Sequence, residues 1–109
     1  MQTQIDGKKI NYEVEGEGYP VVLLHGWLAN LDTMKPLANI LKENFKVYNI
    51  DVIGFGKSEL PDKPYSSSDF GDFLQKLLNV LKIENPILIG HSNGGRIIIN
   101  ACRKKINYT

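Results

Sequence analysis

The chain has 109 residues, of which 42% are hydrophobic and 23% are charged, and its formal net charge is +1. These values are typical of one globular domain with an apolar core. They exclude the strongly basic surface that holds nucleic acid or an anionic membrane, so we expect neither as a partner.

The first predicted elements are two short antiparallel strands at residues 2–5 and 9–14. Asp6 and Gly7 join them, and this dipeptide favours a tight type I′ turn. Polar residues alternate with Tyr12 and Val14, which predicts that one face of the hairpin is solvated. The continuous apolar run at 21–24 then predicts a strand that is covered on both faces, as in a parallel sheet.

A helix is predicted over residues 32–44, with Pro36 in its first turn, where proline removes no helical hydrogen bond. Val47-Tyr48-Asn49-Ile50 predicts the next strand. Glycine and proline dominate residues 51–64, which predicts a loop.

An amphipathic helix is predicted after this loop, with an N-cap among residues 66–69. Its apolar side chains recur at helical spacing: Phe70, Phe73, Leu74, Leu77, Leu78 and Leu81. Residues 86–90 predict a short buried strand. We predict a helix over 94–106, although the isoleucines at 97–99 favour a strand, because propensity is a weak signal. Alternating strands and helices predict a parallel sheet.

The strongest motif is G-x-S-x-G, formed by Gly90, His91, Ser92, Asn93 and Gly94. At the end of an apolar strand, this pattern predicts a sharp strand-to-helix turn that presents the serine hydroxyl for attack on a carbonyl. The flanking glycines avoid collisions between side chains in so tight a turn.

A second candidate segment is His25-Gly26-Trp27, which directly follows the predicted strand at 21–24. A loop at this position can point a backbone N–H at the serine turn. The N–H of Asn93 would be a second donor, and two such donors stabilise the negative oxygen of a tetrahedral intermediate.

Gly56-Lys57-Ser58 imitates the end of a phosphate-binding loop, G-x-x-x-x-G-K-[ST]. However, Asp51 stands where that motif requires its first glycine. Pro61 and Pro64 also prevent the helix whose N-terminus would hold a phosphate. We therefore do not predict nucleotide binding.

Taken in order, the hairpin, the H-G-W segment, D-x-x-G-x-G-x-S at 51–58 and G-H-S-x-G-G at 90–95 resemble the N-terminal part of the α/β-hydrolase fold family. The resemblance implies an incomplete α/β fold: an antiparallel hairpin followed by parallel strands with flanking helices, in one partial domain over residues 1–109. It implies Ser92 as the nucleophile and the backbone N–H groups of Trp27 and Asn93 as the oxyanion hole. The residues with a structural role would be His25, Gly26, Asp51, Gly54, Gly56, Gly90, His91, Gly94 and Gly95.

The function that this resemblance implies is hydrolysis of a small molecule at an ester-like carbonyl, a thioester or a carbon–carbon bond. An acyl-enzyme on Ser92 would form without a cofactor or a metal. A serine rather than an aspartate at this position argues against the dehalogenase and epoxide hydrolase branches. Trp27, Leu28 and Phe55 either line an apolar substrate pocket or serve in packing.

The alternative interpretation rests on the rest of the catalytic triad. The family places the acid and the histidine after the nucleophile, yet no histidine follows His91. The chain would then be a truncated or split fragment without catalysis, acting as an interaction module. Residues 86–89 would form an exposed sheet edge, open to a second copy or to a complementary chain.

The remaining sequence features concern location and metal binding. The N-terminus lacks the pattern of a signal peptide, and no run reaches the roughly 18 apolar residues of a membrane span. The single cysteine, Cys102, excludes an internal disulfide. We expect a cytoplasmic protein, and one without a metal site, because the two histidines show no ligand spacing.

Overall fold

The computed structural model describes residues 1–104, which form one five-stranded sheet with helices on both faces. The strands are β1 (Gln2–Ile5), β2 (Lys8–Glu15), β3 (Tyr19–Leu24), β4 (Phe45–Ile50) and β5 (Ile87–Gly90), and the helices are α1 (Leu31–Leu41), α2 (Ser67–Val80) and α3 (Asn93–Lys104). The sheet order is β1-β2-β4-β3-β5. Pairing is antiparallel in β1–β2 and β2–β4 but parallel in β4–β3 and β3–β5. The predicted hairpin and parallel strands are confirmed.

The register of the parallel strands brings the segments that follow them together at the carboxyl ends of the strands. Leu24 of β3 lies opposite both Ile50 of β4 and Gly90 of β5. The segments that follow β3, β4 and β5 therefore all start at the same end of the sheet. Ligands of such sheets bind beyond the carboxyl ends of the strands, so a site is expected at this end of the sheet.

The core consists of two apolar layers, one on each face of the sheet. Alternate residues of a strand point to opposite faces, so Val21 and Leu23 face α1 whereas Val22 and Leu24 face α2 and α3. The α1 layer includes Met34, Ala38 and Val47. The other layer is larger and includes Ile10, Ile50, Phe73, Leu74, Leu77 and Ile97, all with at most 2% of their surface exposed. Coverage on both faces is the reason that β3 consists of apolar residues without alternation.

Helix α1 begins one residue earlier than the sequence predicts. The Asn30 side chain accepts a hydrogen bond from the N–H of Asp32 at 2.9 Å and caps the helix at Leu31. Pro36 consequently lies in the second turn, so the prediction that it belongs to the first turn is wrong. A proline at this position removes the hydrogen bond that would otherwise reach the carbonyl of Asp32.

Helix α2 confirms the cap that the sequence predicts. The Ser66 hydroxyl accepts from the N–H of Asp69 at 3.1 Å, and the Asp69 carboxylate accepts from the N–H of Ser66 at 2.9 Å. This reciprocal capping box stabilises the helix by about 1 kcal/mol. Buried Phe73, Leu74 and Leu77 then face the sheet.

Strand β5 departs from the prediction of a buried strand. In the part of the chain that the structure describes, it pairs with β3 alone, and its residues are exposed or half-buried. The predicted exposed edge at 86–89 is thus present. Helix α3 follows as predicted up to Lys104, whereas residues 105–106 of the predicted helix lie outside the described residues. No helix within 1–104 has the length and apolar character needed to cross a bilayer.

Candidate active site

Ser92 occupies the turn between β5 and α3. The strand ends at Gly90 and the helix begins at Asn93, so the chain reverses within two residues. The φ angle of Ser92 is +54°, in the left-handed region, and its side chain is exposed. A non-glycine residue in this region costs roughly 1–2 kcal/mol, and such strain concentrates at functional sites. The predicted strand-turn-helix around Ser92 is therefore present.

Two glycines make this turn sterically possible. A Cβ at Gly90 would overlap the backbone of Gly94 and Gly95, and a Cβ at Gly94 would overlap the carbonyl oxygen of Leu24. The turn packs this closely because the N–H of His91 also donates to the Leu24 carbonyl at 3.0 Å. Gly95 differs, since a Cβ there would be in ordinary contact, 3.6 Å from the Gly90 carbonyl oxygen.

The loop after β3 lies directly against the serine turn. A Cβ at Gly26 would be 3.4 Å from the Cβ of Ser92 and 3.1 Å from Nδ1 of His91. Trp27 follows and is 61% exposed. Within residues 1–104, the N–H groups of Trp27 and Asn93 donate no hydrogen bond. The structure thus brings together the nucleophile candidate and the segments of both candidate oxyanion donors.

His25 is a structural residue with both ring nitrogens in use. It is 1% exposed; its Nδ1–H donates to the Gly26 carbonyl at 2.8 Å, and its Nε2 accepts from the N–H of Val52 at 3.0 Å. Burial lowers the pKa of this imidazole, opposed by the Gly26 carbonyl and the charge of Asp51. A neutral, doubly bonded ring ties β3 to the loop after β4, and it cannot take the proton of Ser92.

His91 is exposed, and its ring lies against the loop at Gly26. In the described part of the chain, no histidine nitrogen forms a hydrogen bond with the Ser92 hydroxyl. Within residues 1–104, therefore, neither histidine is hydrogen-bonded to Ser92 as an activating base would be.

Asp51 anchors the loop that follows β4. The carboxylate is 2% exposed; its Oδ1 accepts from the N–H of Leu31 at 2.7 Å, and its Oδ2 accepts from Asn11 Nδ2 at 2.9 Å and from the N–H of Lys57 at 3.0 Å. Gly56 lies so near that a Cβ there would overlap this carboxylate. Asn11 belongs to the face predicted to be solvated, but it is half-buried because it serves this anchor.

The resemblance of Gly56-Lys57-Ser58 to a phosphate-binding loop has a structural explanation. The Ser58 hydroxyl donates to the Asp51 carbonyl at 2.6 Å and accepts from the N–H of Asn11 at 2.8 Å. The N–H of Lys57 is bound by the Asp51 carboxylate. After this segment, the next helix begins only at Ser67. The segment closes a loop onto Asp51, and no helix N-terminus follows it directly to hold a phosphate.

An apolar groove of about 350 Å³ adjoins the loop after β3. Trp27 and Phe55 line it, as does Gly54, whereas Leu28 is 81% exposed and does not. The sequence analysis did not identify the other lining residues, Ile53, Leu60, Pro61, Pro64, Tyr65 and Phe70. In the sequence these residues share only their apolar side chains, and they are spread over the loop after β4 and the first turn of α2. Among the described residues, no group of three His, Cys, Asp or Glu side chains could hold a metal ion.

Comparison with known proteins gives consistent matches. A family model described as alpha/beta hydrolase fold matches residues 19–106. The soluble epoxide hydrolase of a Corynebacterium species is 32% identical over 96 residues, which are 88% of this chain and 34% of that protein. The pimeloyl-[acyl-carrier protein] methyl ester esterase of Pseudoalteromonas atlantica is 39% identical over 83 residues, 75% of this chain and 31% of that protein.

The solved structures agree with these relatives. An esterase from Exiguobacterium antarcticum superposes with a TM-score of 0.79 and 37% sequence identity, covering 86% of this chain and 35% of that one. The chain therefore spans about a third of the length of the proteins it matches. The five-stranded sheet and its helices correspond to the N-terminal part of their common fold.

Proposed function

Because the chain belongs to the alpha/beta hydrolase fold family, we propose that it supplies the nucleophile and the oxyanion hole of a serine hydrolase that acts on ester-like carbonyl compounds. The observation that carries this proposal is the exposed Ser92 at φ +54°, held against the Gly26 loop. A hydroxyl in such a turn is accessible to a substrate carbonyl, and it is positioned by backbone rather than by a mobile loop.

The proposed reaction is acyl transfer. Ser92 Oγ attacks the carbonyl carbon while its proton passes to a base, and the N–H groups of Trp27 and Asn93 stabilise the oxyanion. Expulsion of the alcohol leaves an acyl-enzyme, and water attacks it to release the acid and restore the hydroxyl. The base and the acid that orients it lie outside residues 1–104, or on a second chain. The serine separates this chemistry from that expected of the relative named an epoxide hydrolase, since a branch that opens epoxides uses an aspartate there.

A second candidate function is that of an interaction module without catalysis. It is favoured by β5, which presents one unpaired side in the described part of the chain. The two functions differ in what they require of Ser92, because a binding module has no use for its hydroxyl. In either case we propose a cytoplasmic location, without a cofactor, metal, nucleic acid or membrane as partner.

The experiment that tests catalysis is intact-mass measurement after exposure to a fluorophosphonate. Two proteins are compared: the 109-residue chain, and a chimera in which it replaces the matching third of the Exiguobacterium antarcticum esterase. We expect a stoichiometric adduct in the chimera and none in the chain alone, because the base is missing there. Ser92→Ala should abolish the adduct, whereas Ser67→Ala, another exposed serine, should keep it. An adduct that persists in Ser92→Ala contradicts the assignment.

A further inference from the structure

The loop after β3 contains a strained turn beside Trp27. The carbonyl of Gly26 accepts from the N–H of Ala29 at 3.2 Å, which closes a four-residue turn, and the third residue, Leu28, has a φ angle of +59°. Turns with a positive φ at this position favour glycine there, because a side chain is strained in that conformation. The Leu28 side chain is 81% exposed, so its own packing does not hold the turn. The segments at the two ends of the loop must therefore maintain this conformation.

Both ends of this loop are tied to β4 or to the segment that follows it. At the first end, the His25 ring accepts from the N–H of Val52 at 3.0 Å. At the other end, Leu31 is bonded through both of its backbone groups. Its N–H donates to Asp51 Oδ1 at 2.7 Å, and its carbonyl accepts from Asn49 Nδ2 at 2.8 Å. One hydrogen bond alone would act as a pivot, whereas two bonds to different groups of one residue fix its orientation.

Asn49 projects from a backbone that is itself held on both sides. It lies in β4, between β2 and β3, opposite Glu13 of one strand and Leu23 of the other. Because alternate residues of a strand share a face, its side chain points towards α1, as does that of Val47 in the α1 layer. The bond from Asn49 therefore ties the start of α1 to the interior of the sheet.

The buried amide of Asn49 is unfavourable for stability alone. The residue is 2% exposed, and its Oδ1 has no hydrogen-bond partner within residues 1–104. A buried acceptor without a partner lowers stability, and an apolar side chain of the same branched shape avoids that cost. The bond to the Leu31 carbonyl is the contribution that such an apolar side chain could not make.

We propose that Asn49 is a positioning residue, whose bond to Leu31 holds the loop that carries the Trp27 N–H against the serine turn. The role of that N–H rests on the proposed function, whereas the hold on the loop depends only on residues of this chain. Asp51 does not replace Asn49, because its carboxylate binds only the N–H of Leu31 and leaves the carbonyl side of that residue free to tilt.

Amide exchange of Ala29 tests the hold on the loop, because its N–H closes the strained turn. Asn49→Leu removes the donor, and we expect Ala29 exchange, followed by NMR, to accelerate by about fivefold or more, since losing the bond favours local opening. The N–H of Ile83, which donates to the Leu78 carbonyl at 2.9 Å after α2, should not accelerate with it. Asn49→Ala repeats the measurement with a side chain too small to overpack the α1 layer.

Val47→Ala is the matched control, because it removes buried methyl groups from the same face of β4 without removing a side-chain hydrogen bond. It should lower the free energy of unfolding but leave the ratio of the Ala29 and Ile83 exchange rates as in the parent. An unchanged Ala29 rate in both Asn49 variants, equal acceleration of the two amides, or the same response in Val47→Ala would overturn the proposal.

The chimera with the Exiguobacterium antarcticum esterase extends the test to the reaction. There Asn49→Leu should lower kcat for p-nitrophenyl acetate by about tenfold with KM unchanged, because a displaced oxyanion donor weakens binding of the transition state alone. Val47→Ala should keep the parent kcat. A loss confined to KM would contradict the positioning of the Trp27 N–H. A parent chimera without turnover would contradict the proposed function instead, and the exchange rates would still decide whether Asn49 holds the loop.

Discussion

The carboxylate of Asp51 accepts a hydrogen bond from the backbone N–H of Leu31 at 2.7 Å, so the residue after β4 holds the first residue of α1. The same carboxylate binds β2 through Asn11 and its own loop through Lys57. One buried side chain thus holds β2, α1 and the loop after β4 together at the end of the sheet where Ser92 lies.

Asp51→Asn should therefore destabilise the fold well beyond an ordinary surface change. An asparagine offers one acceptor oxygen where the carboxylate offers two, and its amide would face other donors. We expect a loss of about 2–3 kcal/mol in the free energy of unfolding, measured by urea denaturation. Asp62→Asn is the control: its carboxylate is 85% exposed in an ion pair with Lys8, so it should lose less than about 0.5 kcal/mol. Equal losses in the two variants would contradict the anchoring role of Asp51.

Neighbouring glycines of the serine turn should respond in opposite directions. Gly94→Ala forces a methyl group onto the Leu24 carbonyl and should cost about 3 kcal/mol of stability. Gly95→Ala meets only an ordinary contact at 3.6 Å and should gain about 0.5 kcal/mol from higher helix propensity. Urea unfolding followed by circular dichroism measures both. Similar values for the two would mean that the turn is looser than described.

The buried His25 should make stability depend on pH. Burial lowers the pKa of its imidazole in the folded state, whereas the unfolded chain takes up the proton near the ordinary value of about 6.5. Protons therefore favour the unfolded state, so this contribution to stability is complete above about pH 6.5 and is lost as the pH falls towards the folded pKa. We expect a slope of at most about 1.4 kcal/mol per pH unit between pH 7.5 and 5.5.

Two histidine variants show which histidine causes this dependence of stability on pH. His91→Gln keeps the buried ring and should show the same decline in urea midpoints with falling pH. His25→Gln should be less stable throughout, with a flat profile in this range. A slope that follows His91 instead would show that the buried ring is not its source.

The open edge of β5 should support self-association. Ile87 is 43% exposed there, and strands with one unpaired side pair with other chains. Light scattering coupled to size exclusion should give an average mass that rises with concentration. Ile87→Lys should remain monomeric over the same range, because a lysine on an edge opposes pairing, while Ile40→Lys on α1 should associate like the parent. A monomer at every concentration would contradict the prediction.

Much of the fold could be predicted because its signals are local. The turn at Asp6-Gly7, the apolar run of β3 and the cap at Ser66 each lie within a few residues, and the structure confirms them. The serine turn was also predictable, since its glycines are part of the motif that contains Ser92.

Features that depend on distant residues were not accessible in this way. The partners of Asp51 lie 20 and 40 residues away in the chain, at Leu31 and Asn11, and nothing near Asn11 indicates that it turns inward. The groove likewise combines the loop after β3 with the first turn of α2. Packing between segments determines such features, and periodicity along one segment does not report it.

The carbonyl oxygen of Leu24 accepts the N–H of His91 and also packs against Gly94, so one atom of β3 constrains the turn from both sides. The position of Ser92 relative to the sheet consequently depends on β3, the neighbouring strand, as well as on β5, which leads into the turn. Amide exchange of His91 would then measure how often the turn opens, independently of any substrate. A strand that paired with the free side of β5 would leave this contact between Leu24 and the serine turn unchanged. It would restrict the turn only from the side of β5 that faces away from β3.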